Sequence, residues 1–462
     1  VLAALADLPR GPDRSRAAVV VLTSLFLVGR MAEALRLADA ELAAGDRTPA
    51  LHATRAVLLA FTGRYQEALA AATGIEAMEF TSSAEAVVVF DRLAVLTSML
   101  FRHDKTVDYA NRALAAAQGQ PALELQALAV AASTGALAGL VHDATWRLRR
   151  AEQLAGFAFR GELELTRVAL DWLGGRWDAS LDRLGRATAE LESRQELMML
   201  QGLRAIELEI RTWRGELDVA ARLAALDPPT SPNMSRLHAF AMSAYLAARG
   251  DVEGARTALV EAVDATGSTA YSCVLLGRLV ELDLEHGRSE EARQTVKRLH
   301  VLAADRVAPW TRTAVRRVEG LVARDPELLR SAVLEAETGG LVFEKARGQL
   351  ALGQVDPAAT AELLEAYTTF QRLGAHGLRR QAGTRLRELG AKVPRARTKT
   401  RGLLTEAEEN VARLVQQGMR NRDIAAALHY SPRTVEVYLS RVYAKLHVSS
   451  RLELARVLDG RT

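Results

Sequence analysis

Apolar residues recur at i, i+3 and i+4 through stretches such as ARDPELLRSAVLEAE and LLEAYTTFQRLGAHGLRRQAGTRLRELG, a spacing that lays one apolar stripe along an α-helix. Strand formers are scarce beside Ala, Leu, Arg and Glu, so the pattern predicts an all-α chain. The longest apolar run, Ala17 to Val28, has 12 residues and ends at Gly29-Arg30. A bilayer needs roughly 20, so this run predicts a buried helix and no membrane partner.

The helical pattern is punctuated at regular intervals. G-x-x-x-x-A occurs as GRMAEAL at Gly29, GRYQEAL at Gly63, GLVHDAT at Gly139, GELDVAA at Gly215, GDVEGAR at Gly250 and GRSEEAR at Gly287. GRWDASL at Gly175 carries its Ala one position early, and FRHDKTV at Phe101 is a degenerate copy. Successive starts lie 34 to 40 residues apart. Glycine supplies the left-handed residue that ends one helix, and the alanine lets the next pack closely against it. One such hairpin cannot bury its apolar face, but a stack shares a continuous core. Turn and spacing resemble the tetratricopeptide repeat, which implies a helical-hairpin superhelix over residues 1–390. After Gly287 the period blurs. The cluster DPPTSP, Asp227 to Pro232, predicts a longer loop inside the array rather than a domain boundary.

The last sixty residues follow another rhythm. GAKVPRARTKTRG, Gly390 to Gly402, has five basic residues and no acid, which predicts a basic linker over 391–403. Thr405 with Glu408 forms a capping box for a helix through Gln417, stopped by Gly418. Asn421 is placed to cap a short second helix, and Ser431-Pro432 to start a third that runs to Leu446. Ser450 with Glu453 opens a closing helix to Leu458. Four helices joined by short turns over 404–462 predict a trihelical core plus one. In the third, Val435, Leu439, Val442 and Leu446 form the inward stripe, while Arg433, Glu436, Val437, Ser440, Arg441 and Lys445 face the other way. With a short helix crossing its start, this is a helix-turn-helix, whose third helix would enter a major groove.

Charge is distributed accordingly. Residues 392–462 hold 14 Lys and Arg against 7 Asp and Glu, whereas the preceding 391 hold 46 against 49. The positive surplus therefore sits where a nucleic-acid contact is expected. The single cysteine, Cys273, excludes an intrachain disulfide and a multi-cysteine zinc cluster and suits a reducing cytoplasm. His429 and His447 flank the third helix without metal-ligand spacing. No phosphate-cradling GxxxxGK[ST] and no hydrolase, metalloprotease or kinase signature occurs, and the abundant carboxylates read as solvated helix faces. No catalysis, cofactor or metal is expected. The first residue is Val1 rather than Met, which points to further residues upstream.

The segment from Leu404 to about Leu458 closely resembles the LuxR-type helix-turn-helix domain, also found in response regulators of the NarL and FixJ kind. The resemblance rests on Leu404-Thr405, Glu408, Gly418, Asn421, Ile424-Ala425, Leu428, Ser431, Thr434-Val435, Lys445-Leu446, Val448 and Ser450-Arg451. Together with the helical array, it is similar to the C-terminal half of the large ATP-binding LuxR-family regulators that include the maltose activator. Departures are Glu436 where a basic residue is usual, Tyr438 for His, His447 for Gly and Ala407 for Arg.

The resemblance implies a cytoplasmic, bacterial-type transcription regulator that binds double-stranded DNA and acts on the transcription machinery. The repeats would then sense a protein or small-molecule effector. It also implies a homodimer on DNA through the last helix, with Leu452, Ala455, Val457 and Leu458 as candidates. Arg422, Arg433, Arg441, Lys445 and the linker are candidate phosphate contacts, and Thr434, Val437 and Ser440 complete the DNA-facing set. Glu436 has two readings. It accepts from a cytosine amino group and sharpens sequence choice, or it contacts Ser440 or Arg433 on its own helix and meets no base. Two other classes compete: a helical scaffold with no DNA affinity, and a fragment of a nucleotide-dependent switch.

Overall fold

The computed structural model describes residues 5, 7–100, 102–156, 160–229, 231–265, 271–303, 308–393, 404, 406–428, 430–446, 448 and 450–459. Among them every regular element is helical: twenty-five α-helices and a single 3-10 turn, Ile75–Ala77. Packing divides the chain into two compact units, 1–391 and 392–462.

The first unit is a run of helical hairpins. The turn glycines Gly29, Gly63, Gly139, Gly175, Gly215, Gly250 and Gly287 all have φ between 68° and 83°. In each turn the next amide reaches back to close the helix end, as Arg30 N–H does to the Leu25 carbonyl at 2.8 Å and Arg64 N–H to that of Leu59 at 2.9 Å. Five residues after each glycine the side chain is fully buried: Ala34, Ala68, Ala144, Ala220, Ala255 and Ala292 are all 0% exposed. At Gly175 this position is Ser180, also 0% exposed, with its hydroxyl donating to the Val168 carbonyl at 3.2 Å. The repeat is thus in register there, with Ser in place of Ala. Thr106 fills the position in the degenerate copy, and its hydroxyl donates to Thr97 Oγ1 at 3.1 Å.

Hairpins continue past Gly287, where the sequence pattern fades. Pro309–Ala323 turns into Pro326–Gly339 through Arg324, a non-glycine residue at φ 54°. Val342–Val355, Thr360–Leu373 and His376–Glu388 complete the stack. Of the Asp227 to Pro232 cluster, the described residues 227–229 and 231 lie within this unit between Leu217–Ala224 and Pro232–Ala248, and Pro232 opens the latter helix.

The stack coils back upon itself. Gly29 lies against Leu197, Gly63 against Pro232, Gly139 against Trp310 and Gly175 against Val342, all pairs 167 to 171 residues apart. Ser231 Oγ donates to the Phe61 carbonyl at 3.2 Å, and Arg214 Nε to the Leu373 carbonyl at 3.0 Å. Turn-bearing edges of one superhelical turn therefore rest on helices of the next, after about four and a half hairpins. The coil encloses a cavity of about 940 Å³ lined by the first helix of successive hairpins. Helix Pro12–Leu27, expected to be wholly buried, has one face toward this space, and its Val20 is 62% exposed.

Two substitutions separate backbone from contact at the turns. A Cβ on Gly139 would meet Trp310 Cβ at 2.8 Å and Trp310 N at 2.9 Å, whereas one on Gly215 meets nothing within 4 Å. Gly215→Ala should cost about 1 kcal/mol from its φ alone, and Gly139→Ala about 3 kcal/mol because the seam must also shift. Urea denaturation measures both, and equal losses would contradict the seam.

The expectation that carboxylates occupy solvated faces fails in part. Asp91, Glu209, Asp283 and Glu344 are all buried. Glu281 and Glu344 are held by Arg317 and Arg347, and Glu209 by Arg278. These acids face the interior because hairpin stacking buries two sides of a helix, not one.

Candidate nucleic-acid interface

In the second unit four helices, Glu406–Gln416, Asn421–Ala427, Pro432–Leu446 and Arg451–Asp459, pack around one small core. Val411, Val415, Ile424, Val435, Leu439, Val442 and Leu454 form its centre. Of the expected stripe, Val435, Leu439 and Val442 are buried and Leu446 is half-buried.

The start of the third helix is fixed by its sequence. Ser431 Oγ accepts the Thr434 N–H at 3.1 Å and lies 2.7 Å from the Thr434 hydroxyl, with Pro432 as first helical residue. Gly418 ends the first helix at φ 80°, and the Met419 N–H donates to the Leu414 carbonyl at 3.1 Å. Asn421 does not cap. Arg420 takes the cap position in extended conformation, Asn421 is the first helical residue, and its Oδ1 accepts Arg451 Nη1 at 3.1 Å. Arg451 also donates to the Met419 carbonyl, so one guanidinium ties the last helix to the turn before the second. Ser450 Oγ accepts the Glu453 N–H at 3.2 Å, as the capping box predicts. Thr405, His429 and His447 lie outside the described residues.

The outer face of Pro432–Leu446 carries Arg433, Glu436, Val437, Ser440 and Arg441, all exposed, with Arg422 exposed on the neighbouring helix. Neither alternative contact of Glu436 forms: among the described residues it makes no side-chain hydrogen bond or ion pair, with Ser440, Arg433 or any other group. Thr434 is half-buried at the cap. Lys445 is turned inward. Its ammonium lies 2.5 Å from Glu408 Oε2, and the Glu408 side chain is 3% exposed, so the charge expected at phosphate is engaged within the module.

The sequence reading missed an aromatic support. The rings of Tyr430 and Tyr438 are 5.7 Å apart, and the Arg441 guanidinium lies 6.0 Å from the Tyr438 ring, restraining a cation on the outer face. The i, i+3 spacing of Tyr438 and Arg441 was the available signal. Of the candidate dimer residues, Val457 and Leu458 pack partly on the module's own core and Ala455 is half-buried, while the Leu452 side chain is outside the described set.

Lys445→Met should remove the ammonium that pairs with the buried Glu408 carboxylate. The unit is expected to lose about 2 kcal/mol, less than for a fully buried pair because Lys445 keeps 31% of its side-chain exposure. Faster amide hydrogen exchange across Val411–Val415 in the full chain would register it, and unchanged exchange would refute the role.

Residues 402–458 match the family described as bacterial regulatory proteins, luxR family. The C-terminal unit is a LuxR-type helix-turn-helix domain. A putative HTH-type transcriptional regulator of Mycobacterium bovis is 53% identical over 53 residues, covering 12% of this chain and 6% of that protein. The transcriptional regulatory protein UhpA of Escherichia coli is 47% identical over 58 residues, 12% of this chain and 30% of its own. The match thus spans only 6% of the length of the mycobacterial relative. Among solved structures, a Rap protein complexed with Competence and Sporulation Factor aligns at TM-score 0.49 and 13% identity, over 74% of this chain and 98% of that one.

Proposed function

We propose that this chain is a sequence-specific DNA-binding transcription regulator whose helical coil receives an effector. The observation that carries the reading is the outer face of Pro432–Leu446, where exposed Arg433, Glu436, Val437, Ser440 and Arg441 stand on a helix braced from behind, in a domain of the LuxR type. The relatives named as transcriptional regulators support it. In this reading the N-terminal half of that helix enters the major groove, and Arg422, Arg433 and Arg441 meet phosphates. Thr434 secures the helix start, and Lys445 positions the helix through Glu408 rather than touching DNA. Glu436 is left to read a base edge. The protein works in the cytoplasm as a homodimer on DNA, joined through Ala455, Val457, Leu458 and Leu452, and performs no catalysis of its own.

Fluorescence anisotropy of the full chain on a pool of random duplexes, repeated from 50 to 300 mM salt, tests the reading. Affinity should fall linearly in log–log form with a slope of about −3 or steeper. Selection from that pool should enrich two half-sites spaced by about one helical turn. No retention of duplex at the lowest salt would favour a scaffold instead.

A further inference from the structure

The cavity within the coil has features of a built ligand site. Its volume, about 940 Å³, lies at the upper end of what small-molecule pockets span. Apolar side chains such as Leu22, Val95, Val130, Leu165 and Met198 form most of its wall. Four charged residues interrupt that wall: Arg92, Arg160, Glu162 and Glu196. The set is balanced, two positive against two negative, yet among the described residues none of the four forms an ion pair. Arg92 donates only to the Thr23 hydroxyl, at 2.9 Å, and the Glu162 carboxylate has no hydrogen-bond partner among the described residues. Elsewhere in the same unit fully buried charges are matched directly, as Arg317 is by Glu281 and Glu344, whereas Arg92 and Glu162 are half-buried and open to the cavity. A half-buried acid and base that lack direct partners in an apolar wall leave donors and acceptors open to a bound polar group.

We propose that this cavity binds a small amphipathic zwitterion, its carboxylate received by Arg92 and its ammonium by Glu162, with an apolar body against the wall between them. A purely anionic ligand would leave Glu162 facing like charge, and a purely cationic one would do the same to Arg92. Burial pushes the Glu162 carboxyl up and the Arg92 guanidinium down, opposed in part by Arg92 and Arg160 acting on Glu162 and by Asp91 and Glu162 acting on Arg92. The seam of Gly29 on Leu197 and Gly139 on Trp310 brings successive turns of the coil together, and the volume of the space they leave suits a small molecule. The proposal rests on the reading of the coil as the effector module, but its test does not depend on DNA.

Trileucine is a suitable probe because its two charges can be removed singly. Calorimetry of the full chain with trileucine, N-acetyl-trileucine and trileucine amide should show one saturable site that prefers the free peptide at least tenfold over either capped form. Arg92→Met should abolish the preference over the amide and keep that over the acetyl form, and Glu162→Gln should do the reverse. A misfolded protein cannot produce opposite selectivities. Ala169→Trp, which fills the cavity, should eliminate binding of all three. Absence of saturable binding by trileucine overturns the proposal, as does binding indifferent to Arg92→Met and Ala169→Trp. Because duplex binding is measured on the same samples, failure here with DNA affinity intact removes the ligand site and leaves the regulator.

Discussion

Arg433→Ala combined with Arg441→Ala will weaken the full chain on duplex DNA by at least about tenfold at 150 mM salt, and flatten the log–log salt dependence by about two. Both guanidinium groups stand on the exposed face of Pro432–Leu446, and among the described residues neither is spent on an intramodule ion pair. Arg441 is steadied over Tyr438, so less side-chain freedom is lost when it meets a phosphate. Because these contacts carry little sequence information, the loss should be similar on cognate and random duplexes. Glu436→Ala is expected to behave differently. Removing a negative charge from the docking face raises affinity for random DNA, while discrimination at one base pair falls by about 1–3 kcal/mol. If the arginine variant changes sequence preference and Glu436→Ala leaves it intact, the face is docked the wrong way round.

The two units were unequally legible from sequence. The third helix of the C-terminal unit was readable to the residue, Pro432 to Leu446, because local chemistry fixes both ends: a Ser-Pro start and a buried stripe that runs out. Turn glycines were readable for the same reason, since a left-handed residue leaves few alternatives. Reading failed where another residue does the same work. Arg324 holds φ 54° in a turn that no glycine marks, beyond the point where the period blurs, and Ser180 fills an alanine site by returning its hydroxyl to the backbone. Asn421 looked like a cap because nothing local shows that Arg451, thirty residues on, takes its side-chain oxygen. Coil closure was beyond reach for a deeper reason. Whether Gly139 meets Trp310 depends on a small rotation per hairpin summed over several hairpins, and no single window of sequence holds that sum. The cavity and the place of its four charges follow from that closure.

The buried ion cluster of the coil leads to the second large effect, a loss of about 3–5 kcal/mol on Arg317→Met. Arg317 is 3% exposed and holds Glu281 at 2.8 Å and also Glu344, while Arg347 bridges the same two acids from the other side. Burial alone would push the Glu344 carboxyl up, but Arg317 and Arg347 outweigh it and bring it down to about 2, and Glu281 is lowered by the same two cations. Both acids therefore titrate below their unfolded values, near 4.3. The stability they contribute is present above that pH and is lost as pH falls toward 2. With Arg317 gone, two buried carboxylates share one guanidinium, so one of them takes up a proton at higher pH. Acid unfolding should then begin closer to pH 5 than in the parent. Arg317→Met with Glu344→Gln removes one charge of each sign and leaves Arg347 with Glu281, so the double variant should recover at least half of the loss. Urea midpoints at pH 7 and pH 4 for the four proteins of this cycle decide the matter. Additive losses would mean that the cluster is not a coupled unit, and that burial of these charges is supported by something other than each other.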